Sequence, residues 1–235
     1  MLAHSRAGNY RFLGADGRPF SDGVVADDGF DIARARFEHP VALGQGLEAA
    51  VRHVVAAGRQ VHAITGIELR IPAPLTQVGF GSFNRDYVFR LRSLGLESDG
   101  LMPAARTNVA PTGSGVSTPS VYAFTYTIPA QRRPVAFVLS GVPEEEPGEP
   151  VAMLESIMGV LSGRLDELGA SWDDATAIQL YGVDDVQDVL IRTVLPRMGR
   201  SSMHGIHWYP SLPPIEGLRL EIDVRSAGTE SVLRT

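Results

Sequence analysis

The stretch HAITGIEL, His62–Leu69, decides the fold, because its surroundings occur twice. It follows a helix with Leu47, Val51, Val54 and Val55 on one face, and that helix stops at Gly58, a residue suited to a helix C-cap. A shift of 111 positions reproduces the arrangement at ATAIQL, Ala175–Leu180. Thr65 falls on Thr176, Ile67 on Ile178, Leu69 on Leu180 and Gly58 on Gly169. The helix before the second copy carries Leu154, Ile157, Leu161, Leu165 and Leu168 on one face. A repeat found this way governs every later assignment.

Working outward, each strand is followed by a second amphipathic segment. In the first copy it is Ser82–Leu94, capped by Ser82, with Phe83, Tyr87, Leu91 and Leu94 at helical spacing. In the second it spans roughly Asp184–Leu195. Closing strands follow at VYAFTYTI, Val121–Ile128, and GLRLEIDV, Gly217–Val224. PVAFVLSG, Pro134–Gly141, reads as a buried strand and PEEEPGEP, Pro143–Pro150, as an exposed loop. Each half is then a mixed sheet with two helices on one face, an α+β organisation, with units at residues 1–130 and 131–235 joined near Ala130–Arg133.

Composition narrows the function. Hydrophobic residues make up 44% of 235 and charged ones 20%, enough to build a core. The net charge of −6 gives no footprint for nucleic acid, so no nucleic-acid partner is expected. Cysteine is absent, which excludes disulfides and thiolate chemistry. Lysine is absent too: all 21 basic residues are Arg, so no lysine imine can form and pyridoxal phosphate has no usual anchor. No apolar run reaches the length of a membrane span and Met1–Tyr10 has no apolar signal core, so a soluble, cytoplasmic protein without a membrane partner is expected.

With these segments in place, the chain resembles the RidA/YjgF family of imine and enamine deaminases, older label endoribonuclease L-PSP, as a tandem pair. GRPFSDGVV, Gly17–Val25, is similar to that family's entry segment, PAARTNV, Pro103–Val109, to its Pro-Ala-Arg element, and GLRLEIDV to its closing acidic strand. The resemblance implies two tandem chorismate mutase-like domains and assembly as a homotrimer, with a dimer as the second choice; no cofactor is expected. It implies that Arg106 holds a substrate carboxylate and that Glu221 handles water or a proton. The first copy lacks the acid in YAFTYTI, and the second is read as holding His204 where the arginine belongs. More distantly the chain is similar to chorismatases, which also draw an acid from the last strand.

The residue chemistry runs alongside. Arginine's planar fork suits a carboxylate, and a strand glutamate facing a cleft has its pKa raised by burial. The bland alternatives are a surface arginine for Arg106 and a solvated ladder of Arg219, Glu221 and Asp223 for the strand. Phe20, Tyr87, Asn108, His204 and Trp208 are further candidates for substrate contact, with core packing as the alternative for Tyr87 and Trp208. His204 and His207 lack a third ligand, so no metal is expected. The leading expectation is a hydrolase deaminating a small carboxylated enamine or imine of aminoacrylate or aminomuconate type. The rivals are an enol-ether hydrolase or isomerase of chorismatase type and a non-catalytic binding protein.

Overall fold

A computed structural model describes residues 2–14, 17–113, 115–130, 135–145 and 148–234. Strands β1 (Ala3–Ser5), β2 (Tyr10–Leu13) and β3 (Gly23–Ala26) precede the long β4 (Phe30–Ala42), which leads into helix α1 (Leu43–Ala56). Then come β5 (Ile64–Arg70), α2 (Gln77–Ser93), β6 (Ala105–Pro111) and β7 (Ser120–Pro129). The later half contains β8 (Phe137–Leu139), β9 (Val142–Pro143), α3 (Pro150–Leu168), β10 (Ala177–Gly182) and α4 (Gln187–Val189). It closes with β11 (His207–Tyr209), β12 (Ser211–Leu212), β13 (Leu220–Ser226) and β14 (Thr229–Leu233).

Among the described residues these strands make two mixed sheets. One runs β12-β6-β5-β7-β4-β14, the other β1-β2-β3-β8-β13-β10-β11 with β9 beside β13. Within the first, β4-β7-β5-β6 pair antiparallel, antiparallel and parallel, and β8-β13-β10-β11 do the same in the second. The outermost strands cross over. The N-terminal strands join the later sheet through β3 and β8, and β14 lies parallel to β4 in the earlier one.

The helices behave as their patterns require, with local departures. Gly169 ends α3 at φ +71°, and Gly58 follows α1 at φ +75°, both left-handed positions where glycine avoids a Cβ clash. All five apolar residues read on α3 are buried. On α1, Leu47 and Val54 are buried but Val55 is exposed, because the buried face continues through Gly46 and Ala50 instead. Helix α2 starts earlier than Ser82, since the Thr76 side chain accepts from the Gly79 N–H and caps it. The expected helix at Asp184–Leu195 is only the single turn of α4 followed by wide and tight turns to His204, with a break at Gly199. The expected junction at Ala130–Arg133 lies, from residue 131 on, outside the described residues, as does Pro134.

Helices α3 and α1 with α2 cover the outer faces of the two sheets, each over its own apolar cluster. The inner faces pack on each other. Tyr10, Phe12, Val24 and Ala105 fill part of this layer, and the Tyr10 hydroxyl donates to the Ile64 carbonyl across it. At Gly66 a Cβ would meet Thr125 Oγ1 at 2.7 Å and Val138 Cγ1 at 3.2 Å, so the sheets approach closely only because this residue has none. Ala26, Ile32, Ala136 and Ala227 form a second apolar patch, and another part of the layer is charged. Arg34 grips Glu68 through two hydrogen bonds of 2.6 and 2.8 Å, and Asp223 accepts from Thr107 and Tyr181 at 2.8 and 2.9 Å. Burial opposes ionisation of Glu68, but the Arg34 guanidinium outweighs it and holds the carboxyl well below the usual range.

Candidate active site

Two strands from different sheets position the central pair. Arg106 extends from β6 toward α2, and Glu221 from β13 toward the inter-sheet layer. On β13 the alternation is clean: Leu220, Ile222 and Val224 pack under α3, while Glu221, Asp223 and Arg225 share the inner face. This corrects the solvated-ladder alternative, since Glu221 is 3% exposed and Asp223 4%. Arg219 stands outside the strand and pairs with Asp184 at 2.7 Å.

Arg106 is likewise not a surface arginine; it is 4% exposed. Its Nη1 donates to Asn84 Oδ1 at 2.8 Å. Its guanidinium carbon lies 4.1 Å from the ring centre of Phe20, 4.9 Å from Tyr87, 5.5 Å from Phe80 and 5.9 Å from Phe83. Nε and Nη2 have no hydrogen-bond partner among the described residues, which leaves one edge of the fork open. Burial pulls the guanidinium pKa down to about 10, partly offset by Tyr87 and Glu221, so it stays charged at neutral pH.

The main chain ties β6 to the link between β8 and β9, which borders Glu221. The Arg106 N–H donates to Ser140 Oγ at 2.8 Å, and its carbonyl accepts from the Gly141 N–H at 3.2 Å. A Cβ on Gly141 would overlap the Glu221 carboxylate. Glu144 fixes the start of β13, accepting from the backbone N–H groups of Arg219 and Leu220. The exposed-loop reading of PEEEPGEP is thereby corrected at Glu144, which is 2% exposed because it ends the strand's unpaired donors; Glu146 and Pro147 lie outside the described residues.

The Glu221 carboxyl makes no hydrogen bond or ion pair among the described residues, while its backbone lies in the β13 pairing with β10 and β9. Burial and the neighbouring Asp223 push its pKa up to about 8, against the pull of Arg106 and Arg70. The carboxyl therefore holds a proton at neutral pH and is poised to exchange it. Asp223 is itself raised, by burial and by Glu68.

Phe20 and Tyr87 thus gather at Arg106. Asn108 follows on the same face of β6, and both its amide atoms are buried without partners, as is the Tyr87 hydroxyl. His204 does not occupy the arginine's place. His207 stands opposite Gln179 as Thr107 stands opposite Glu68, so the residue in register with Arg106 is Ile206, and His204 is exposed two residues earlier. Trp208 lies on the face opposite Tyr209, is 42% exposed, and donates its indole N–H to the Gly182 carbonyl at 2.9 Å. In the first half, Ser120 opposes Arg70 where Glu221 opposes Tyr181, so that strand has a hydroxyl in the acid's place. Sequence reasoning missed Asn84, Gly141 and Glu144. Only Asn84 left a signal, a polar residue set between Phe80, Phe83 and Tyr87 on a helix. No group of three or more His, Asp or Glu suited to a metal occurs among the described residues, and no helix there is long and apolar enough to cross a membrane.

The fold is shared with a chorismatase, whose crystal structure matches 92% of this chain and 80% of its own at 14% identity and TM-score 0.51. A member of the YjgF/YER057c/UK114 family from Mycobacterium tuberculosis aligns over 39% of this chain and 78% of its own, at 16% identity and TM-score 0.27. The family described as 2-aminomuconate deaminase CnbZ matches residues 2–153 and again 151–231, and the chain belongs to this family. A 2-amino-5-chloromuconate deaminase of Comamonas testosteroni is 36% identical over 246 aligned residues, covering 96% of each chain.

Proposed function

We propose that this protein is a hydrolytic deaminase of a 2-aminomuconate-type substrate, a dicarboxylic dienamine. The observation that carries the reading is the open edge of the Arg106 fork near a buried, unpaired Glu221, in a chain of the 2-aminomuconate deaminase family. Arg106 binds the carboxylate beside the amino-bearing carbon, held in place by Asn84 and stacked on Phe20. Asn108 and Tyr87 offer further hydrogen bonds to that end of the substrate.

Protonated Glu221 gives its proton to a carbon of the dienamine while the nitrogen lone pair forms the C=N bond. Water then adds to the iminium carbon and Glu221 takes back a proton from it. That proton passes to nitrogen, which leaves as ammonia, and the hydroxyl proton returns to Glu221 as the carbonyl forms. Substrate and water become a 2-oxo acid and ammonia, with the carboxyl regenerated. A buried acid that titrates near neutrality suits both directions of transfer. The matching pairing patterns of the two sheets favour a tandem origin of the halves, with the site assembled once, from β6 of one and β13 of the other.

The test is ammonia release from enzymatically generated 2-aminomuconate. Wild type should accelerate it, and Arg106→Ala and Glu221→Gln should each lose most of the rate. Undiminished turnover in both variants would overturn the reading.

A further inference from the structure

A second arginine with an unused donor lies in the inter-sheet layer, beside the cross-strand neighbour of Glu221. Arg70 ends β5 on the inner face and is 4% exposed. Its Nη1 donates to the carbonyl of neighbouring Leu69 at 2.9 Å, and its Nη2 lies 3.9 Å from Glu68 Oε2. That distance is too long for a hydrogen bond, and Nη2 is buried with no partner among the described residues. Glu68 is already engaged by both arms of Arg34, so Arg70 is left with an unmet donor.

The surroundings of Arg70 are aromatic. Its guanidinium carbon lies 4.2 Å from the Tyr122 ring centre, 5.4 Å from Tyr181 and 6.0 Å from Tyr209. Tyr181 is the cross-strand neighbour of Glu221, which places Arg70 on the β10 side of the carboxyl, with Arg106 on β6. Tyr122 and Tyr209 are only partly buried, so this end of the layer reaches the surface. A buried guanidinium donor without an acceptor costs free energy that an incoming anion recovers.

We infer that Arg70 receives the second carboxylate of a dicarboxylate substrate, reaching it from the inter-sheet layer, while Arg106 holds the first from the α2 side of β6. This deepens the deaminase reading and rests on its placement of Arg106. Arg70 is then a specificity residue: it selects diacids over monoacids.

The test separates binding from turnover. Titration calorimetry with hexa-2,4-dienedioate and with the monoacid hexa-2,4-dienoate measures the preference directly. Wild type should bind the diacid about tenfold or more tightly. Arg70→Met should erase that preference by weakening the diacid more than the monoacid, whereas Arg106→Ala should weaken both alike. Should Arg70→Met fail to fold, Arg70→Lys keeps the charge without the fork, and its diacid affinity alone should fall by roughly threefold or more. A wild type without preference, or a preference that survives both variants, would overturn the inference even if 2-aminomuconate is deaminated. A preference lost at Arg70 without any ammonia release would instead remove the deaminase reading and leave the diacid site standing.

Discussion

Gly141 and Glu221 occupy space that only a residue without a side chain could share: the Gly141 Cα faces the carboxylate so closely that a methyl group there would overlap Oε1. The same glycine donates its N–H to the Arg106 carbonyl, so one residue joins the two ends of the proposed site. Gly141→Ala must therefore displace the carboxyl. The expected outcome is a loss of kcat of about 10–100-fold, equivalent to about 1.4–2.7 kcal/mol of barrier. Steady-state kinetics on 2-aminomuconate check this, and an unchanged kcat in a folded variant would contradict it.

Stability should respond to pH through Glu221. Its folded pKa, about 8, lies above the ordinary glutamate value of 4.5. Between these values the folded chain binds more protons than the unfolded one, so this contribution is fully present below about pH 4.5 and is lost as pH rises through about 8. Glu221→Gln mimics the neutral acid and does not titrate. Its melting temperature should exceed that of wild type by several degrees at pH 9 and converge with it near pH 5. Parallel curves at all pH values would refute the assignment.

Asp223 sets part of that pKa. Removing its charge in Asp223→Asn makes Glu221 easier to ionise, so the alkaline limb of the kcat/KM profile should move to lower pH. The shift should be seen while the substrate preference stays constant, which a general loss of packing would not produce.

Glu144 is a structural carboxylate and its loss should register in stability. Glu144→Ala leaves two backbone donors at Arg219 and Leu220 without acceptors, at a cost of roughly 2–4 kcal/mol. Exposed Glu145 is the control, with an expected change within about 0.5 kcal/mol. Urea denaturation of the two variants makes the comparison.

The parts of the fold written locally were legible. Helix faces such as Leu154 to Leu168, glycine stops at Gly58 and Gly169, and the strands ITGIELR and AIQLYG announce themselves through period and punctuation. Arg106 and Glu221 came from the family resemblance, since neither residue is marked by its neighbours. What stayed hidden depends on partners distant in sequence. Arg70 and Glu68 alternate with Ile67 and Leu69 as a solvent-facing strand would, and only the second sheet buries them. Glu144 sits in an acidic run that looks solvated until β13 presents its N–H groups. His204 was misplaced because the wide and tight turns after α4 have no helical period to count along.

The exchange of outer strands between the sheets has a consequence for how the chain reaches its native state. Strands β1 to β3 attach to β8, whose other neighbour, β13, ends at Ser226, while β14 attaches to β4. During synthesis β1 to β3 can pair among themselves, but the free edge of β3 must wait for β8, and β8 in turn for β13 near the end of the chain. Neither half can complete its sheet by itself, so folding is governed by contacts between distant positions and should be slow and all-or-none. A chain cut near residue 130 would yield two pieces that recover structure together rather than apart.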